Sequence, residues 1–182
     1  MFGAVLSFVG MAIAARELSV ELTALQILFW RSFVGALLMP LLLSYYGWAQ
    51  VKSSRYKMQV SRGALHCLAQ YGWLFGITMI PLAEVFALEF TTPLWTVILA
   101  SFFLYESFSF RRLRCVGFGF LGVLLILRPG IDIIDTASIV VLASAGLYAI
   151  TYVMVKSLSR TDTPLCIMFY MTYVQLVLSF FA

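Results

Sequence analysis

The chain has 182 residues, 63% of them hydrophobic and only 11% charged, with a mean hydropathy of +1.00. That composition excludes a water-soluble domain and makes the bilayer the solvent. The formal charge of +4 and pI near 9.1 do not point to nucleic acid, because the basic residues are scattered between apolar stretches and form no basic stripe.

Roughly 20 apolar residues cross the hydrocarbon core, and seven apolar segments follow one another at 2–15, 24–46, 63–80, 83–104, 115–127, 137–155 and 164–182. Lipid offers no water to a lone strand's backbone, so all seven are expected to be helices in an all-α polytopic transmembrane bundle. The first is short for a full span. Its Ala12-Ile13-Ala14 resembles a signal-peptidase site, but the basic lead of a signal peptide is missing, so it is read as a helix. Cys67, Cys115 and Cys166 each fall inside an apolar segment. There a thiol behaves as a small hydrophobe, and neither a disulfide nor a metal site is expected.

Charge sets the expected orientation. Counted by alternate connections, one side receives Lys52, Arg55, Lys57, Arg62, Arg111, Arg112, Arg114, Lys156 and Arg160, and the other only Arg16 and Arg128. Positive loops stay cytoplasmic, which puts the start of the first helix and the 47–62 and 105–114 loops inside, and the 16–23 and 128–136 connections outside. The bias also agrees with seven crossings.

Sliding the chain along itself by 140 residues lays Leu18-Ser19 on Leu158-Ser159, Thr23 on Thr163, Leu25 on Leu165, Ile27 on Ile167, Phe29 on Phe169, Val34 on Val174 and Leu38 on Leu178. The loop identities weigh most, since any two apolar helices share leucines. If the sixth and seventh helices repeat the first and second, five spans separate the pairs and the repeats are inverted, an arrangement of secondary transporters. The expected organisation is a first repeat over 1–136 and the start of a second over 137–182. Two repeats of about 140 residues need a chain near 280, so a fragment of a longer protein is expected.

Three motifs carry a family resemblance: Thr92-Pro93-Leu94-Trp95-Thr96, the Leu104-Tyr105-Glu106 exit followed by Arg111-Arg112, and Gly122-Val123-Leu124-Leu125-Ile126-Leu127-Arg128-Pro129-Gly130. With Arg31 in the second helix, they resemble the EamA-type drug/metabolite transporter superfamily. The resemblance implies ten helices in two inverted five-helix repeats, and carrier-mediated movement of small metabolites. This chain departs from that pattern in lacking the eighth to tenth helices.

Several polar side chains stand where lipid would penalise them. Arg31 is seven residues into the second segment and Glu89 six residues into the fourth, about 10 and 9 Å deep from the same side. An ionised group facing lipid costs about 2.5–3.5 kcal/mol at the bilayer centre, so both are expected to face the bundle interior. They would line an outward-opening cavity, pairing with each other or offering charge to a polar substrate and a coupling proton; the structural alternative is a plain ion pair, or Arg31 snorkelling to the headgroups. Thr92 and Thr96 share the Glu89 face, and Pro93 is expected to interrupt that helix and free a carbonyl near mid-membrane.

His66, Gln70 and Trp73 form one face of the third helix, a candidate cavity wall by the family comparison. His66 sits close to the expected helix start and is read as interfacial before it is read as a proton relay. Tyr148 and Tyr152, one turn apart, are candidate aromatic contacts that packing would explain equally well. The string Gly117-Phe118-Gly119-Phe120-Leu121-Gly122 matches a dinucleotide-binding pattern but lies in an apolar helix with no preceding strand, so it is read as a close-packing helix face.

The leading reading is therefore a secondary transporter of small molecules working by alternating access, with no cofactor and no covalent chemistry. The competing reading is a membrane-embedded enzyme or scaffold. Its acids are dispersed, however: Glu17, Glu21, Glu84, Asp132 and Asp135 in outer connections, Glu106 and Asp162 in inner ones. An intramembrane enzyme would cluster them, and no phosphate-binding loop with a lysine supplies ATP chemistry. The expected partners are the lipid bilayer and a small-molecule substrate. Whether a homodimer completes a cavity stays open, since seven helices leave an unmatched remainder when five-helix halves pair.

Overall fold

The computed structural model describes residues 2–103, 110–127 and 136–181. Among these the chain forms α1 (Phe2–Leu18), α2 (Ala24–Tyr46), a 3-10 turn (Trp48–Val51), α3 (Tyr56–Met79), α4 (Leu82–Glu89), α5 (Thr92–Phe103), α6 (Phe110–Leu127), α7 (Thr136–Leu158) and α8 (Pro164–Phe181). It is an all-α membrane bundle. The stretches Ala24–Tyr46, Leu82–Phe103, Thr136–Leu158 and Pro164–Phe181 are each long and apolar enough to cross a membrane. The 24 residues of α3 reach about 36 Å at 1.5 Å per residue, enough to span the core as well.

The centre of the bundle is α3, which packs along α7 and α8 and also touches α1, α2 and α4. Helices in lipid gain little from apolar burial, so close approach of backbones has to supply the attraction. Gly72 and Gly76 provide it: a Cβ added at either would collide with Ser144 or Val141 of α7. Around this seam lie the buried Trp73, Leu74, Ile77, Val85, Val141 and Tyr148. Large apolar side chains such as Trp30, Leu37, Leu41, Phe102 and Phe180 point outward, as a lipid solvent permits.

Two connections share their geometry at a spacing of 140 residues. The Ser19 amide donates to the Ala15 carbonyl and the Ser159 amide to the Val155 carbonyl; Leu22 and Asp162 each return to the leucine four residues earlier, Leu18 or Leu158. The hydroxyl of Thr23 caps α2 by accepting from the Gln26 amide, and that of Thr163 caps α8 by accepting from the Cys166 amide. Between these capped helices the packing is antiparallel: Phe29 meets Phe180, with ring centroids 6.1 Å apart, and the Tyr173 hydroxyl donates to the Ala36 carbonyl at 3.2 Å. The two helices come close at Gly35, where an added Cβ would meet Thr172 at 3.1 Å.

Four expectations need correction. The helix expected over 83–104 is two helices, and the break falls at Phe90-Thr91, before Pro93. Proline fits the first turn of α5, where its missing amide has no intrahelical partner to lose. The third helix starts at Tyr56, not at 63, because Gln59 and Arg62 find buried partners on α8 and its approach. In the same way α1 runs through Ala12-Ile13-Ala14 to Leu18. Finally, a Cβ at Gly117, Gly119 or Gly122 would meet nothing within 4 Å, so these glycines do not pack closely against a described neighbour; α6 touches only α4 and α5 appreciably. The Leu104-Tyr105-Glu106 exit, Arg128-Pro129-Gly130, Asp132 and Asp135 lie outside the described residues.

Candidate functional site

The α4–α5 break borders a cavity of about 980 Å³, bounded by Val5, Phe8 and Val9 of α1, Phe86, Glu89 and Phe90, Thr92, Pro93, Thr96 and Val97 of α5, and Tyr152 of α7. Breaking the helix is what gathers Glu89, Thr92 and Thr96 here. Pro93 cannot donate to the Glu89 carbonyl four residues back, and the Thr91 carbonyl starts the new helix by accepting from Leu94 and Trp95. Glu89 takes the Trp73 indole N–H on Oε2 at 2.8 Å. The Thr96 hydroxyl donates back to the Thr92 carbonyl at 2.8 Å, while the hydroxyl of Thr92 is buried without a hydrogen-bond partner.

Arg31 belongs to a different space. It lines a second cavity of about 490 Å³ between α1, α2 and α3, together with Met11, Leu28, Trp30, Trp73 and Leu74. It does not pair with Glu89. Its Nη2 donates to Gln70 and, at 3.4 Å, to Gln175 of α8, and its Nη1 reaches the Met11 sulfur at 3.7 Å. The two glutamines are joined in turn by Gln175 Nε2 donating to Gln70 Oε1 at 3.1 Å.

Trp73 separates the two cavities. Its ring lies 5.7 Å from that of Phe8, its N–H turns to Glu89, and Gln70, one turn earlier on α3, turns to Arg31. The face read from the sequence as His66, Gln70 and Trp73 thus carries three different contacts. His66, ten residues inside α3 once its true start is known, packs edge-on against Tyr148 with centroids 5.2 Å apart, inside the bundle rather than at a helix end. Tyr148 stacks on Tyr152 at 6.4 Å and 18°, so an aromatic column leads from His66 to the Glu89 cavity.

Sequence reasoning missed Gln175, Phe8, Phe86 and the polar cluster at the α7–α8 connection. An amide alone in an apolar helix was the available signal for Gln175. In the cluster, Asp162 accepts from the Ser53 hydroxyl and, at 2.6 Å, from Gln59 Nε2; Arg55 donates to the Ser157 carbonyl at 3.1 Å and Arg62 to the Ile167 carbonyl at 2.8 Å. Burial works to raise the pKa of the Asp162 carboxyl. Hydrogen bonds from Ser53, Gln59 and Thr161, with Arg55 nearby, outweigh it and hold the group below the ordinary carboxylate value.

A profile of the EamA-like transporter family matches residues 1–128. The chain is 32% identical over 145 residues to a riboflavin transporter of Brucella anthropi, covering 80% of this chain and 51% of that protein. It is 25% identical over 167 residues to an S-adenosylmethionine uptake transporter of Rickettsia bellii, covering 92% and 57%. A pseudopaline exporter of Pseudomonas aeruginosa is 29% identical over 156 residues, covering 85% and 55%. The chain therefore spans about half the length of the curated relatives it matches. No solved structure matches it.

Proposed function

The chain belongs to the EamA-like transporter family, and from that premise we propose that it forms the first five-helix repeat and the opening of the second in a carrier that moves a small metabolite across a membrane, the bacterial inner membrane by its relatives. The observation that carries this reading is the cavity at the α4–α5 break. A broken helix exposes backbone and polar side chains only where they line a cavity, and secondary transporters place their solute sites at such breaks. Here the break brings a glutamate and two threonines to an aromatic-walled space of about 980 Å³, at the upper end of the range for small-molecule sites.

The matched α1–α2 and α7–α8 connections and the antiparallel α2–α8 crossing support a repeat over 1–136 and the start of an inverted copy over 137–182. In this arrangement the Asp162 cluster closes the positively charged, cytoplasmic end while the α1 side gives access to the Glu89 cavity. Arg31 is occupied by the amides of Gln70 and Gln175 and stays out of the solute space; Glu89, Thr92, Thr96 and Tyr152 face the solute, and Trp73 and Gln70 hold the wall behind them.

The test is uptake into proteoliposomes by a protein extended to the length of the relatives, over a panel containing riboflavin, S-adenosylmethionine and other small metabolites. Saturable uptake that Glu89→Ala abolishes, and that Glu84→Gln leaves intact, is the expected result. Absence of transport for every solute, with the protein folded, would favour a membrane scaffold.

A further inference from the structure

The two cavities are unlike in charge. The smaller one holds a guanidinium already shared among two amides and a thioether. The larger one holds a carboxylate with a single donor, the Trp73 indole on Oε2, and no described donor on Oε1. Among the described residues, no basic side chain lines it. Thr92 also lines this space; the residue is 5% exposed and its hydroxyl is buried without a partner. The rest of the described wall is Thr96, Phe8, Phe86, Phe90, Tyr152 and aliphatic side chains.

An ionised carboxylate in apolar surroundings is costly until a cation or a proton meets it. Ring faces carry negative potential and attract cations as well. Carboxylate and rings therefore select in the same direction, and both reject an anion.

We infer that this cavity is a recognition site for flat aromatic organic cations, the positive centre set against Glu89 Oε1 and the ring system lying among Phe8, Phe90 and Tyr152. The inference rests on the transporter reading only for calling such a cation the cargo; the binding preference itself belongs to the 182-residue chain. A lipid's cationic headgroup shares the charge but not the flat ring, so the aromatic wall assigns the site to a solute.

The test uses the 182-residue chain purified in a lipid-free maltoside detergent at pH 7.5, with three probes of one shape: N-methylacridinium, neutral acridine and acridine-9-carboxylate. Binding is read by probe fluorescence anisotropy against protein-free micelles. The cation is expected to bind about tenfold tighter than the neutral probe, the scale of one partly screened charge–charge contact with the carboxylate, and the anion weakest. Glu89→Gln should remove most of the cation's advantage, leaving only the small remainder that the ring faces supply, Glu89→Asp should keep the preference, and Glu84→Gln should change nothing. Retention of neutral-probe binding by Glu89→Gln shows that the cavity is intact. Equal binding of cation and neutral probe by the unaltered chain, a preference undiminished in Glu89→Gln, or no binding at all would overturn the inference. If the extended protein nevertheless transports a neutral solute, the transporter reading stands and the cation assignment alone falls.

Discussion

Replacing Arg31 by methionine is expected to stabilise the bundle, whereas removing its partner Gln70 is expected to weaken it. Arg31→Met deletes the donations to Gln70 and Gln175, and interhelical hydrogen bonds in membranes average about 0.6 kcal/mol each. The bond from Gln175 to Gln70 survives. Against that loss of about 1.2 kcal/mol stands the cost of holding a guanidinium in the membrane, about 2.5–3.5 kcal/mol at the bilayer centre. Even after discounting for the partial exposure of Arg31, the balance favours methionine by about 1 kcal/mol. Gln70→Leu has the opposite sign. It removes the bond from the Arg31 guanidinium, a hydrogen bond to a charged group being worth about 1.5–3 kcal/mol, leaves Arg31 with one long contact to an amide and strips Gln175 Nε2 of its acceptor. The assay is reversible unfolding in mixed bicelles, by steric trapping or by detergent titration. Loss of stability in Arg31→Met equal to or larger than that in Gln70→Leu would refute the reasoning, because Arg31 would then be a net tie and not a tolerated cost.

Two further outcomes test the packing and the polar cluster. Gly76→Leu should destabilise the α3–α7 seam by about 1–3 kcal/mol, since its side chain would occupy the space of Val141, while Gly117→Leu, which meets nothing within 4 Å, should stay within about 0.5 kcal/mol of the original in the same unfolding assay. The Asp162 carboxyl lies below its unfolded value, so its contribution is fully present above about pH 4 and is lost as pH falls through the folded value. Thermal melts between pH 7 and pH 2.5 should therefore show a steeper acid loss in the original chain than in Asp162→Asn; parallel curves would remove Asp162 from the account.

Legibility followed the range of the physics involved. Segment positions were readable wherever hydropathy changes abruptly, as at Ala24, Tyr46 and Pro164. They failed at Tyr56, because Gln59 and Arg62 look like loop residues until Asp162 and the Ile167 carbonyl are brought to them from a hundred residues away. The intramembrane polar residues stood out individually, and Glu89, Thr92, Thr96 and Tyr152 do line one space. Matched depth suggested that Arg31 and Glu89 share a cavity, but depth is only one coordinate; rotation about the helix axis sends Arg31 to Gln70 and Gln175 and leaves Trp73 between the two charges.

The sequence by itself determined that this is a helical membrane protein, where most of its apolar segments run, and the transporter family to which it belongs, which the match over residues 1–128 bears out. Those properties depend on the transfer of local segments into lipid and on short motifs, both contained within a few turns of chain. The tertiary structure alone decided which polar groups satisfy one another, where the helix breaks relative to Pro93, and that one charge is quenched while the other opens to a cavity. Each of those outcomes depends on close approach of distant helices, through Gly72 and Gly76 on one seam and the α2–α8 crossing on another, and no local pattern records how two helix faces are turned.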